Sequence, residues 1–203
     1  MKIREITESR AANDLRGLSV VRRRKLASGE AWEGNLDVSF SDLTSLEGAP
    51  SKVNGSFNCN GNRLTSLDGS PVVVGENFYC VKNLLTSLKG GPVEVGADFN
   101  CAQNSLTSLE GAPSSIPNDF VCNDNPLTTL EGAPSSIDRK FRCTRTRLTS
   151  LHMIHKHIKH IGGSISLIDT PIKECMLGLL LIDGLKGIDL IVVNEDDEFS
   201  VGG

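Results

Sequence analysis

The sequence has no long apolar run. Its longest, MLGLLLI from Met176 to Ile182, is far shorter than the ~20 apolar residues that cross a bilayer as a helix. The first ten residues, MKIREITESR, alternate charged and apolar side chains. They contain neither the apolar core nor the small-residue cleavage site of a secretory signal. We therefore expect no membrane partner, and we expect the protein to act in the cytoplasm.

Catalytic signatures are missing as well. The sequence contains no G-x-S-x-G, no phosphate-binding glycine loop and no H-E-x-x-H zinc motif, and these are the spacings that such chemistries require. No C-x-x-C pair is present, although that spacing is common in zinc sites. The sequence predicts a protein that is not an enzyme and uses no cofactor.

Charge is weak overall and uneven along the chain. The net charge is −4, which gives no general attraction to nucleic acid. Residues 1–25 carry eight Lys or Arg side chains, whereas EDDE at 195–198 is purely acidic. Nucleic acid is therefore not an expected partner, although the basic segment leaves an acidic protein partner open.

The dominant feature of the sequence is a repeat of 21 residues. Five of the six cysteines lie 21 residues apart, and a phenylalanine precedes each of them by two positions. The motif LTSL or LTTL and a proline keep the same interval. The cysteines are at 59, 80, 101, 122 and 143, and the leucine motifs begin at 43, 64, 85, 106, 127 and 148.

Incomplete units flank the regular ones. Leu36 and Val38 fill the Phe and Cys positions before the first regular unit, and Ile165 and Leu167 fill them after a three-residue insertion. We predict an N-terminal tail and capping helix over 1–33, and a solenoid over 34–172 with five full repeats and degenerate end repeats. A C-terminal cap over 173–193 and an acidic mobile tail over 194–203 follow.

The unit F-x-C-x-x-N-x-L-x-x-L resembles the leucine-rich-repeat signature, with Phe and Cys at two of its apolar positions. Its short length and its proline look like the short bacterial type, and LTSLEGAP units resemble uncharacterised repeat proteins of tailed phages. The resemblance implies a solenoid with a parallel β-sheet on one side and an irregular convex side. A phage origin would place the protein in the host cytoplasm or the virion. A fold of this kind hosts many functions, so the resemblance implies no particular activity.

Strand alternation predicts which side chains face the core. In the first full unit, Phe57 and Cys59 point inward, and Ser56, Asn58 and Asn60 point outward. Stacked strands lie ~4.8 Å apart, so we expect a column of phenylalanines and a ladder of buried, unpaired cysteines. Asparagines three positions after each cysteine should close the turns.

The outward face of the strands is the predicted binding surface. It is acidic and amide-rich in its early units and basic in the unit near residue 140. We predict a protein–protein interaction module that binds a partner through this face. The alternative is a structural or assembly component of a phage particle, with self-association. The candidate partner-binding residues are Tyr79, Asn100, Val121, Lys140, Arg142 and Arg145.

Four histidines form a second candidate site. They lie within nine residues, at the place where the three-residue insertion occurs, and clustered imidazoles can bind zinc, nickel or copper. The other interpretation is a solvated surface beside core isoleucines at 154, 158 and 161. A metal-binding protein is therefore a second alternative, with His152, His155, His157 and His160 as candidate ligands.

Both ends of the solenoid require covering segments. Leucine and valine positions between Asn13 and Gly29 predict an amphipathic helix that covers the first unit, with Trp32 sealing it. Two apolar runs around Asp183 predict a closing rung or a hairpin at the other end.

Overall fold

The computed structural model describes residues 31–151, 154–172 and 182–189. These residues form a parallel β-solenoid, in which each 21-residue unit makes one rung. The main sheet has eight parallel strands, one from each rung. In spatial order they are β1 (Leu36–Asp37), β3 (Phe57–Asn58), β5 (Phe78–Tyr79), β7 (Phe99–Asn100), β9 (Phe120–Val121), β11 (Phe141–Arg142), β13 (Ser164–Ser166) and β14 (Gly187–Asp189).

A second column of short strands precedes the main one in each rung. It forms two three-stranded parallel sheets, separated between β6 and β8. The first contains β2 (Lys52–Val53), β4 (Val73–Val74) and β6 (Glu94–Val95), and the second contains β8 (Ser115–Ile116), β10 (Ser136–Ile137) and β12 (His160–Ile161). The side opposite the main sheet was expected to be irregular. These short strands were not expected, and the leucine motifs themselves lie in irregular chain.

Strand pairing confirms the degenerate rungs. Leu36 pairs in register with Phe57, and Ile165 pairs with Phe141 across the 24-residue spacing. The extra residues are accommodated beside a short helix, α1 (Ile154–His157). Ile154, Ile158 and Ile161 are buried, as predicted. The insertion therefore bulges at the surface without disturbing the rung.

Five stacked phenylalanines form the centre of the core. Their side chains are completely buried, and consecutive ring centroids lie 5.1 to 5.9 Å apart. Two leucines of each motif and one valine or isoleucine of each second-column strand complete the same hydrophobic cluster. Since every rung repeats these side chains, each buries its neighbour's apolar surface, which is the main driving force for the stack.

In four successive rungs an asparagine links the rung to the one before it, whereas Thr146 and Thr170 stand at this position in the next two rungs. The amide nitrogen of Asn83 donates to the carbonyl of Cys80 in its own rung and to that of Cys59 in the preceding rung, both at 3.1 Å. Its oxygen accepts the N–H of Leu64 at 3.2 Å. Asn62 and Asn125 make the equivalent three bonds. The predicted turn-closing role is confirmed, and the amide also joins neighbouring rungs.

Pro117 removes one bond of the second-column ladder at the point where the column is split. At the equivalent position, the N–H groups of Gly75 and Gly96 donate to the preceding rung at 2.8 and 2.9 Å. Proline has no N–H, so this ladder bond cannot form between β6 and β8. Pairing resumes one rung later, where Asp138 N donates to Ile116 O at 2.9 Å.

The described residues include only part of the predicted ends. The predicted capping helix and the predicted acidic tail both fall on residues outside them. Trp32 packs partly buried against the core and pairs with Val53. At the other end, β14 pairs in parallel with β13, so a closing rung forms rather than a hairpin. No helix among the described residues is long and apolar enough to cross a membrane.

Replacing Pro117 by glycine should restore the missing bond. The new N–H at position 117 would face the carbonyl of Val95, as that of Gly96 faces Val74. We expect slow hydrogen exchange at this amide, measured by NMR, at a rate close to that of Gly96 in the same variant. Fast exchange at 117 beside a protected Gly96 would show that proline is not the cause of the break.

Candidate interaction surface

The cysteine ladder is part of the core. All five cysteines in it are free and completely buried. Four thiols point at the next rung, where Cys59, for example, donates to the carbonyl of Tyr79 at 3.3 Å. Burial raises the pKa of the Cys59 and Cys101 thiols, which keeps them protonated and unreactive. Core packing of these residues is confirmed.

The described histidines do not form a metal site with their neighbours. Within the described ranges, no group of three His, Cys, Asp or Glu side chains could hold a metal ion. His155 and His157 lie in α1, whereas His160 lies in β12 with its Nδ1 atom 3.5 Å from an Asp183 carboxylate oxygen. His152 lies outside the described residues. The three described histidines are close along the chain but lie in two different elements.

We use the term strand face for the outward side chains of β1, β3, β5, β7, β9 and β11 and of the turns that flank these strands. Much of its polarity is structural. Asn77 Oδ1 accepts the N–H of Asp98 at 3.0 Å, and Asp98 Oδ1 accepts the N–H of Asp119 at 3.1 Å. The first bond of this series joins the N–H of Ser56 to Asn35 Oδ1, and the last joins the N–H of Lys140 to Asp119 Oδ1. These amides and carboxylates bridge backbone groups of successive rungs.

Two predicted binding arginines are paired with the preceding rung. Arg142 Nη1 lies 2.8 Å from Asp119 Oδ2. Arg145 donates through Nε and Nη2 to both carboxylate oxygens of Asp124, at 2.5 and 2.8 Å. These hydrogen bonds with Asp124 raise the pKa of the Arg145 guanidinium. Both planar cations are therefore partly neutralised before any partner arrives.

The other predicted binding residues have different surroundings. Asn100 Oδ1 accepts the N–H of Ala102 at 3.1 Å, and Val121 is only 9% exposed. Tyr79 is partly exposed, and Lys140 is exposed. Partial burial, together with the carboxylates of Asp98 and Glu76, raises the pKa of the Tyr79 phenol, so its hydroxyl stays able to donate a hydrogen bond. Lys140 and Arg145 are the exposed members of the predicted set, and of these two only Arg145 is already paired with a carboxylate of the described residues.

The structure adds two residues that the sequence reasoning missed. Phe40 is 73% exposed and has a φ of 48°, a backbone region that bulky residues rarely adopt. Its ring occupies the space that a Cβ on Gly61 would take. Leu84 is 51% exposed, in the turn after the strand that carries Tyr79. Comparing equivalent repeat positions reveals both, since Lys82 and Gln103 are the counterparts of Phe40, and Arg63 and Ser105 those of Leu84.

A smaller apolar surface lies on the second column. Val72 and Val93 are both exposed, and Val93 N donates to Val72 O at 2.8 Å. Lys52, on the adjacent strand, is exposed. These three residues include no aromatic side chain. They can therefore be substituted as a control for substitutions on the strand face.

Comparison with known proteins gives no further guide to the function. No protein-family model and no curated protein sequence matches the chain.

The cysteine ladder should be chemically inert in the folded protein. Burial and raised pKa values keep the thiols from forming thiolates. We expect N-ethylmaleimide at pH 8 to leave all five unmodified in native protein and to modify them at once in denaturant, as measured by peptide mass spectrometry. Cys175 lies outside the described residues and serves as an internal comparison. Rapid native labelling of Cys101 would contradict the assignment.

Proposed function

We propose that this protein is a non-catalytic protein–protein interaction module that binds its partner through the strand face. Its repeats, on this proposal, are a short form of leucine-rich repeat, in which Phe and Cys replace two leucines. The observation that carries the proposal is the set of exposed apolar residues on this face. Phe40, Tyr79 and Leu84 interrupt positions that other rungs fill with small or polar residues.

Aromatic residues on a polar surface favour binding. A Phe that is 73% exposed gains little from folding, and tyrosine is enriched among residues that dominate interface energies. The positive φ of Phe40 recurs at Lys82 and Gln103, so it belongs to the repeated turn. A bulky aromatic residue is disfavoured in that conformation by about 1–2 kcal/mol, and the 73% exposure of Phe40 returns little of that cost through packing.

The charged end of the same face would set orientation. Lys140 is exposed at the end of the polar series. A carboxylate on the partner would pair with it at the rim, where charges act mainly on association rate and register. Arg142 and Arg145 would contribute more weakly, because Asp119 and Asp124 already pair with them.

The resemblance to tailed-phage repeat proteins suggests the place of action. We propose a host or viral protein as the partner, in the infected cytoplasm or within the particle. A fixed component of the particle would instead use the face for self-association. Affinity capture distinguishes a protein that binds a separate partner from one that binds copies of itself.

The test is affinity capture from lysate of the producing cells with two triple variants. The face variant carries Tyr79→Ala, Leu84→Ala and Lys140→Ala, and the control carries Val72→Ala, Val93→Ala and Lys52→Ala on the second column. Each removes two apolar contacts and one charge. We expect wild type and control to retain one stoichiometric partner, and the face variant to retain at least about tenfold less, since a buried tyrosine anchor contributes ~2 kcal/mol.

Circular dichroism melts of both variants establish that the solenoid is folded. A partner retained by the face variant and lost by the control would move the site to the second column and contradict the proposal. Capture of this chain alone would contradict a separate partner and favour the particle component.

A further inference from the structure

The sixth rung, residues 134–147, concentrates positive charge that the described structure leaves unpaired. Five of its residues are cationic, and Arg142 and Arg145 are paired with aspartates. Arg139, Lys140 and Arg147 are exposed. Among the described residues, none of these three forms an ion pair with a carboxylate. Arg139 and Lys140 directly precede β11, and Arg147 follows the turn after it. An anionic group bound beside these exposed cations would be stabilising.

Asp189, the last described residue, lies close to this rung. Asp189 in β14 is in register with Ser166, and Ser166 is in register with Arg142. Two strand spacings, about 10 Å, therefore separate Asp189 from Arg142. Between them lies β13, whose outward residues are the small, neutral Ser164 and Ser166. No bulky outward side chain of that strand stands between Asp189 and the cations.

The sequence that follows Asp189 carries the complementary charge. Residues 195–198 read EDDE, and Phe199 follows them. Six residues of extended chain, from Asp189 to Glu195, reach up to ~20 Å. That length exceeds the ~10 Å that has to be crossed. The acidic segment is therefore long enough to reach the sixth rung, and its charge is opposite to that of the rung.

We propose that the acidic segment Glu195–Glu198 binds the sixth-rung cations Arg139, Lys140 and Arg147 of the same chain. The contact is electrostatic and solvent-exposed, so it is weak and sensitive to salt. Asp169 lies near Arg145 and contributes to its electrostatic surroundings. Its negative charge directs the segment toward Lys140 and Arg147 rather than toward Arg145.

In this contact the acidic segment would cover Lys140, at the charged end of the strand face. A partner that pairs with Lys140 must displace the acidic segment first. This consequence rests on the proposed function, whereas the contact itself does not. The experiments below use the isolated protein and leave the partner out, so failure of one proposal is distinguishable from failure of the other.

The first experiment compares backbone amide shifts by NMR in full-length chains. One variant neutralises the segment with Glu195→Gln, Asp196→Asn, Asp197→Asn and Glu198→Gln, and a control carries Glu94→Gln on β6. We expect the four-residue variant to shift the amides at 139–147 and to leave those of β3 unchanged. The control should leave 139–147 unchanged. Salt at ~1 M, where the screening length is about 3 Å, should move wild-type shifts toward the neutralised variant.

The second experiment supplies the segment in trans. A fluorescent peptide of residues 192–203 is added to the full-length neutralised variant and followed by anisotropy. We expect saturable binding, at least about fivefold weaker to wild type, whose own segment competes. Adding Lys140→Glu and Arg147→Glu to the neutralised variant should abolish binding. Adding Lys52→Glu and Lys156→Glu, which change net charge equally, should preserve it.

Three results would overturn the proposal. The amides at 139–147 could be unaffected by neutralisation, or the peptide could bind equally well to both charge-reversed variants. Shifts at 139–147 that grow with protein concentration would show that the segment binds a second copy of the chain. Each result excludes the intrachain contact.

Discussion

The structure depends on one constraint: every rung must place the same backbone atoms opposite those of its neighbours. The buried asparagine enforces this, because a single amide bonds carbonyls of two rungs and an N–H of one. Asn83, for instance, joins Cys80, Cys59 and Leu64. A rung with one extra residue would misplace all three partners. The insertion before β12 is tolerated because it lies next to α1, away from these bonds.

The same constraint separates structural residues from residues available for function. Inward positions repeat because each Phe must stack on another Phe. Many outward polar residues are also constrained, since Asn77 and Asp98 bond the backbone of the next rung. Functional information therefore lies in departures from the repeat. Phe40, Leu84 and the sixth-rung cations are such departures, and the proposals rest on them.

The period, together with the resemblance to leucine-rich repeats, predicted the solenoid and the parallel main sheet. Strand alternation predicted the buried Phe and Cys columns, and the asparagines were predicted only to close turns. The period also located the degenerate rungs through Leu36 and Ile165. It did not predict the second strand column, because two-residue strands such as Lys52–Val53 show no alternation. The ion pair of Arg142 with Asp119 and the burial of Val121 were also missed. Both depend on contacts between rungs, which become visible only when equivalent positions are compared side by side.

The most direct test of the central constraint is the free energy of unfolding of Asn83→Asp, measured by urea denaturation at pH 7. Aspartate keeps the shape and the acceptor but cannot donate to the two carbonyls, so we expect a loss of about 3 kcal/mol. The matched change Asn58→Asp should lose less than about 1 kcal/mol, because Asn58 only accepts the N–H of Asn60 and is part-buried. Equal losses at the two positions would contradict the claim that the buried amide holds the rungs together.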